Sequence, residues 1–275
     1  MKSCIIAGEG NLPILLAEKN KDFLVIVIRS LSVSNDFKNK TYMVDMYDFN
    51  EMIKTFKTHD IKKIIFAGKF YRQKNYRKKI SKEVKEIIDK TKFLGDDSTL
   101  KKIKKFFENN GFEVVSPNTL LKHNFKANEI IFNKKFHNDE NLKYLKNTIK
   151  IGKNILDLIS KFDIGKSIVA RKNHILGIEG IEGTNELITR CGKFYNKQLN
   201  EDNLFGPVLI KLPKINQTLD LDIPVIGIDT IKLAHKYNYF GIGFSQTGVL
   251  IINEPEIRSF CESKNFYLYC IGNKV

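Results

Sequence analysis

Three short and almost unbroken apolar runs, residues 3–7, 23–28 and 64–67, most constrain what this chain can fold into. Each has the length of a strand, and none alternates apolar with polar residues as a strand with one wet face would. Runs of that kind belong inside a parallel sheet covered by helices on both faces. The intervening sequence supplies the helices. After the turn Gly8-Glu9-Gly10, Asn11 can cap a helix that begins near Pro13, a residue suited to the first helical turn. Further on, residues 98–110 place Leu100, Ile103, Phe106 and Phe107 on one helical face. Gly111 then offers a left-handed helix end before a strand at 112–115. The alternation predicts an α/β domain with a Rossmann-like, mostly parallel sheet.

A chain of 275 residues, 42% of them hydrophobic, is long enough for two such cores. Two domains imply a cleft between them. The polar tract 133–141, where Lys, Asn, His and Asp crowd out apolar residues, reads as the linker between a domain at 1–132 and a C-terminal α/β domain at 142–275. In the second domain an amphipathic helix is expected over 141–162, with strands at 167–170, 175–178 and 208–212. Residues 241–244 and 249–252, on either side of a turn with Gly248, read as a hairpin. A helix from Pro255 leads to a last strand at 267–271. The mixture predicts a mixed sheet.

Composition excludes several classes. No apolar run approaches the roughly 20 residues of a membrane-spanning helix. The apolar N-terminus is broken by Glu9 before it reaches the length of a signal peptide and is needed as a strand, so a cytoplasmic protein is expected. Cys4, Cys191, Cys261 and Cys270 show no metal-ligand or disulfide spacing and read as buried, reduced residues. The five histidines show no metal-ligand pairing either. The net charge of +15 has two readings, an AT-rich coding composition or attraction to an anionic surface. Only six of the 46 basic residues are arginine, whereas base-reading proteins favour its bidentate fork. With no Trp and no aromatic platform, a nucleic-acid partner is not expected.

Four segments have the residue types of a binding or catalytic site. Gly8-x-Gly10 between a strand and a helix can present backbone N–H groups to a phosphate, or it can be a structural turn. It departs from the dinucleotide fingerprint at Pro13, and the second strand ends at Arg29 where a ribose-binding acid would stand, which counts against an NAD(P) or flavin oxidoreductase. Gly95-Asp96-Asp97-Ser98 precedes a helix; one residue, Asp97 or Ser98, serves as its cap, and a second acid suits a metal ion or sugar hydroxyls. Glu179-Gly180-Ile181-Glu182-Gly183-Thr184-Asn185 crowds acids, glycines and a hydroxyl between a strand and a helix, whether as a site or as exposed acids and a helix cap. Lys211, with Lys214, precedes Gln217 and a turn stiffened by Pro224 that would hold Asp222 in place; a loop of this composition is otherwise ordinary.

In this order the segments resemble the UDP-2,3-diacylglucosamine pyrophosphatases of lipid A synthesis of the I type. The carriers are Ile6-Ala7-Gly8-Glu9-Gly10-Asn11-Leu12-Pro13, Phe66-Ala67-Gly68, Gly95-Asp96-Asp97, residues 106–115, 179–184 and 211–227, with Thr230. The resemblance spans nearly the whole chain. It implies hydrolysis of the pyrophosphate of UDP-2,3-diacylglucosamine to UMP and 2,3-diacylglucosamine 1-phosphate, with water attacking the phosphorus nearer the sugar. It implies Mg²⁺ or another divalent cation, with Asp222 and Asp97 as candidate ligands. In the motif Asp-x-Pro-x-x-Gly-x-x-Thr, Asp222 matches the family's essential aspartate, expected to position the metal or the attacking water. Gly10, Asn11, Leu12, Gly68, Lys69, Asp96 and Asp97 are expected on the nucleotide and sugar side, with Glu182, Gly183, Thr184, Lys211, Gln217 and Thr230 completing the substrate site. The chain departs from the family at Asn185, where Asp is usual, and at Thr218 and Asp220, which replace an Asp-x-Arg. A substrate with two acyl chains implies contact with the cytoplasmic face of the inner membrane, to which the lysines would contribute, while a homo-oligomer is left open.

Overall fold

A computed structural model describes residues 2–29, 31, 37–70, 82–91, 96–162, 164–198, 205–214 and 223–272. The three apolar runs are the strands β1 (Lys2–Ala7), β2 (Leu24–Ile28) and, extended at its start, β4 (Ile61–Ala67). With β3 (Thr41–Val44) and β5 (Glu113–Val114) they form a five-stranded sheet in the order β3-β2-β1-β4-β5. Every neighbouring pair in it is parallel. The apolar runs occupy the three interior positions. Edge strand β3 has no such run because two of its residues, Thr41 and Met43, are exposed, so its only signature is a weak alternation.

Successive side chains divide between the two faces of this sheet. Cys4, Ile6, Ile26, Ile28, Ile64 and Phe66 share one core with the helices α2 (Phe49–Thr58) and α4 (Asp96–Asn109) and with Val84 of α3 (Lys82–Thr91). That core is rich in aromatic rings. Phe49 lies 5.2 Å from both Phe106 and Phe107, and Phe56 lies 5.2 Å from Phe112, in the tilted and edge-on arrangements that ring quadrupoles favour. The opposite face carries Ile5, Val25 and Ile65 and is the side of α1 (Leu12–Lys19), which buries Leu12, Pro13, Leu16 and Ala17. Asp48 caps α2 by accepting a hydrogen bond from the Glu51 N–H at 3.0 Å. Gly111, with φ of +87°, ends α4 in the left-handed conformation anticipated from its sequence position. Asp97 and Ser98 fall inside the first turn of α4 and not at its cap position; their side chains lie outside the described set.

The described residues divide into two compact units, 2–121 together with Ile223, and 122–214 together with 224–272. Residues 133–141, the polar tract taken as a linker from composition, contain the 3₁₀ turn η2 (Lys134–Phe136) and the start of α5 (Asp139–Ile159). Strand β6 (Ile130–Ile131), just before it, already pairs with the second unit's sheet.

That sheet has six strands in the order β6-β13-β11-β9-β7-β8, built from β7 (Ser167–Arg171), β8 (His174–Ile178), β9 (Val208–Lys211), β11 (Gly241–Ser245) and β13 (Tyr267–Ile271). Its centre, β13-β11-β9, is parallel, while β6, β7 and β8 are antiparallel to their neighbours. Helix α5 covers one face. It lies close because Gly152 faces the sheet, where a Cβ would stand 2.7 Å from the Ile210 Cδ1. Helices α6 (Thr184–Gln198), α7 (Ile228–Lys236) and α8 (Glu254–Ser263) cover the other face, over Val169, Leu209, Ile242 and Leu268.

The expected hairpin around Gly248 does not form. Both flanks of β11 are occupied by β9 and β13, so no edge is left for the following strand. Strand β12 (Leu250–Ile251) pairs instead with β10 (Val225–Ile226), parallel, as a separate two-stranded ribbon. All four cysteines are free and buried. Among the described residues no helix is long and apolar enough to cross a membrane.

Candidate active site

In the first unit the strand order changes direction between β1 and β4, the point where open α/β sheets bind ligands beyond their strand ends. The turns that follow these two strands carry Gly8, Glu9, Gly10, Gly68 and Lys69. They are joined backbone to backbone: Glu9 N–H donates to the Lys69 carbonyl and Lys69 N–H to the Glu9 carbonyl, each at 2.9 Å. Such an approach tolerates no side chain. A Cβ on Gly8 would stand 2.6 Å from the Lys69 oxygen, and one on Gly68, whose φ is +95°, would stand 2.7 Å from the Glu9 oxygen.

The outcome for each candidate differs. Gly10, with φ of +98°, is exposed, and space around its Cα is open. Asn11 holds the cap position of α1, but its side chain makes no capping bond, leaving the amide exposed beside the N–H groups of the first turn. Leu12 is buried against the sheet, so only its backbone can face a ligand. The backbone of Lys69 is engaged by Glu9 and its side chain is exposed. Asp96 and Asp97 open α4, described by backbone alone. At the end of β2, Arg29 pairs with Asp45 at 3.5 Å, standing where a ribose-binding acid would be.

In the second unit three side chains form a hydrogen-bonded chain. Lys211, at the end of β9, donates from Nζ to the Thr184 hydroxyl at 2.7 Å, and Thr184 donates to Glu179 Oε1 at 2.8 Å. Lys166 N–H supplies Glu179 Oε2 at 3.1 Å. Lys211 is buried, at 7% exposure. Burial raises the cost of charge on Glu179, but the Lys211 ammonium, the Thr184 bond and Lys166 outweigh it and hold the carboxyl below its usual range. The fully buried Ser167 hydroxyl also favours the ionised form, although it lies outside direct hydrogen-bond geometry. Lys211 is thus a compensated cation, not a free phosphate anchor.

Glu182 stands apart from this chain. It is on the surface, where Arg190 reaches its Oε1 at 3.1 Å. Gly183, with φ of +81°, turns the backbone into α6. Thr230 sits in the first turn of α7 behind Gly227, where the space around the Cα is again open. Asp222 and Gln217, together with Thr218 and Asp220, lie outside the described residues, as does Gly95. The described Ile223 and Pro224 lead straight into β10, and the Pro224 carbonyl accepts from Leu250 N–H at 2.8 Å, anchoring the proline of the Asp222 motif. Among the described residues no three His, Cys, Asp or Glu side chains converge as cation ligands, and neither candidate ligand, Asp97 or Asp222, has a described side chain.

Glu179 is the residue whose part here the motif reading did not isolate. One signal was present: it directly follows the strand expected at 175–178 and opens the acid-rich segment before a helix.

The first unit is therefore a Rossmann-like α/β domain with glycine turns at its switch point, followed by a mixed-sheet domain. A family model described as the LpxI N-terminal domain matches residues 2–124, and one described as the LpxI C-terminal domain matches residues 133–269. The chain belongs to the LpxI family. A Caulobacter vibrioides protein named UDP-2,3-diacylglucosamine pyrophosphatase LpxI is 23% identical to it over 259 residues, covering 92% of this chain and 90% of the relative.

Proposed function

We propose that this protein is a hydrolase of lipid A biosynthesis that cleaves UDP-2,3-diacylglucosamine to UMP and 2,3-diacylglucosamine 1-phosphate. The observation that carries this reading is the match of both halves, in order, to the two LpxI domains, together with a relative of that name that aligns over nearly its full length. The geometry agrees with it. Paired glycine turns at the switch point of a parallel sheet, beside the N-terminus of α1, suit the phosphates and ribose of a nucleotide.

In this reading water adds to the phosphorus nearer the sugar, the bridging P–O bond breaks, and the electron pair leaves with UMP. Asp222 orients the water or accepts its proton, and Pro224 limits how far the aspartate can move. Gly10, Asn11 and Gly68 approach the nucleotide through backbone and amide groups, with Lys69 at the phosphates and Asp96 and Asp97 toward the sugar; Gln217, Gly183 and Thr230 are substrate contacts by their places in the family's motifs. Lys211 acts as a fixed cationic donor whose charge Glu179 balances, with Thr184 as the hydrogen-bonded link between them. A divalent cation, Mg²⁺ by preference, would neutralise charge on the pyrophosphate, held by Asp222 and Asp97. Catalysis is placed on the cytoplasmic side of the inner membrane.

The deciding assay incubates the pure protein with UDP-diacylglucosamine and Mg²⁺ and measures UMP, with and without chelator. UMP formation that chelator abolishes is expected, and no UMP removes the proposal. Asp222→Ala should lower the rate by at least about 10²-fold; a wild-type rate would remove Asp222 from its role while leaving the activity in place.

A further inference from the structure

Residues 123–129, by which the chain enters the second unit, form neither helix nor strand, yet side chains hold them down. Arg258 of α8 is the common node. Its guanidinium takes both carboxylate oxygens of Glu129, at 2.7 and 3.3 Å, and donates from Nε to Glu254 Oε1 at 2.7 Å. The two carboxylates reach back to the segment: Glu254 Oε2 accepts from the Asn124 N–H at 2.7 Å, and Glu129 Oε2 from the Lys126 N–H at 2.8 Å. Arg258 also lies 4.1 Å from the centre of the Phe125 ring, a cation–π contact. Phe125 is the one buried residue of the segment and packs in the core beside Phe244. The segment crosses the carboxyl ends of two parallel strands, the edge where open α/β sheets take their ligands. His123 Nε2 donates to the carbonyl of Gln246, just past β11, at 3.1 Å. Asn128 N–H donates to the Cys270 carbonyl at 2.8 Å, and a Cβ on Gly272, directly after β13, would stand 2.9 Å from the Ala127 Cβ.

We propose that residues 123–129 are a latched lid over the ends of β11 and β13, that Arg258 is the latch, and that the lid lifts as one piece while the rest of the unit stays folded. Two observations set it apart from the sheet beneath. The N–H groups of Asn124 and Lys126 end on carboxylates and not in a strand ladder. The latch is within reach of water, with the Arg258 and Glu129 side chains each 25% exposed. Loss of Arg258 takes from Glu129 and Glu254 the cation they share, and Phe125 remains as the segment's one buried plug. Under the lid lies a thiol. Cys270 is wholly buried in the same core as Phe125 and stands close enough to Glu129, Arg258 and Glu254 to feel their charges. Burial pushes its thiol up to about 12, so it is unreactive while the lid is closed. Cys191 is buried at the far side of the sheet, against Gly177 of β8. As a cover over a ligand edge the lid rests on the proposed function; its opening is measured without it.

The experiment labels the native full-length protein with iodoacetamide, reads each cysteine by mass spectrometry, and follows hydrogen exchange in parallel samples. In the parent, Cys270 should be labelled at least about tenfold faster than Cys191, and residues 123–129 should exchange before β9 does, because local opening needs less free energy than unfolding of the unit. Arg258→Met should speed both at the lid at least about tenfold further and leave Cys191 and β9 as they were. Arg258→Lys, which keeps the charge and loses the fork, should fall between. If melting shows Arg258→Met to be unfolded, Glu254→Gln takes its place; it removes one charge from the latch and should give a smaller rise at the same residues. Cys270 and Cys191 labelled at one rate in the parent, or a folded Arg258→Met whose lid exchanges no faster than the parent's, would overturn the proposal. So would a folded variant in which the lid and β9 accelerate together, because no separate piece would then exist. UMP formation enters no arm, so failure of the lid and failure of the proposed hydrolysis are told apart.

Discussion

The two halves build their candidate binding elements from different materials. At the switch point of the first unit the geometry is made by backbone: two reciprocal N–H···O bonds of 2.9 Å between Glu9 and Lys69, allowed by glycines with no room for a Cβ. In the second unit it is made by side-chain charge, with Lys211, Thr184 and Glu179 in series and Lys211 nearly without solvent. A backbone site tolerates surface substitution and fails when a methyl group is added. A charged site fails when one partner is neutralised, and it senses pH.

The largest effect tests that contrast directly. Glu179→Ala leaves the buried Lys211 ammonium without its counter-charge and should destabilise the second unit by about 3 kcal/mol in urea unfolding. The double variant with Lys211→Met should recover part of this loss, and additive losses would mean that the two charges do not couple. Next comes Gly68→Ala, whose methyl group meets the Glu9 carbonyl in a left-handed backbone; about 1–3 kcal/mol is expected, read by melting of the first unit. If it is neutral, the switch-point turns are looser than the reciprocal bonds imply.

A smaller effect follows from pH. The Glu179 carboxyl is depressed in the folded state, as is that of Glu129, chiefly by its hydrogen bond from Arg258. Below the ordinary carboxylate range the unfolded chain therefore binds protons that the folded one refuses, so stability is full above that range and is lost as pH falls through the depressed values. Melting temperature should drop on acidification for the parent and less steeply for Glu129→Gln. The smallest expected effect is on Asn11→Ala: with no capping bond to lose, stability should change by less than about 0.5 kcal/mol, while UMP formation falls if its amide meets the nucleotide. A stability loss typical of a cap would show that the side chain supports α1 after all.

The contrast also explains what could be read in advance. Interior strands β1, β2 and β4 were legible because both their faces are buried, which forces continuous apolar runs, and glycine turns were legible because backbone approach demands that residue type. Edge strand β3 left little trace, since half of it faces water. Partnership was harder to read than element type. Residues 249–252 have the signature of a strand wherever they pair, and only the occupation of both flanks of β11 sends β12 to β10.

By itself, then, the sequence determined the doubly wound first domain, the glycine turns and the ordered motifs of the LpxI family. These follow from local rules of period, backbone freedom and residue chemistry. The tertiary structure alone decided that Glu179 and not Glu182 balances Lys211, although two residues separate them in one loop. The reason is that β8 ends at Ile178 and keeps Glu179 in the sheet's shadow, against Lys166, while the Gly180–Gly183 turn swings Glu182 outward to Arg190. Spacing along the chain cannot report that difference, because Glu179 draws its cation from β9, remote in sequence, while Glu182 draws Arg190 from the adjoining α6.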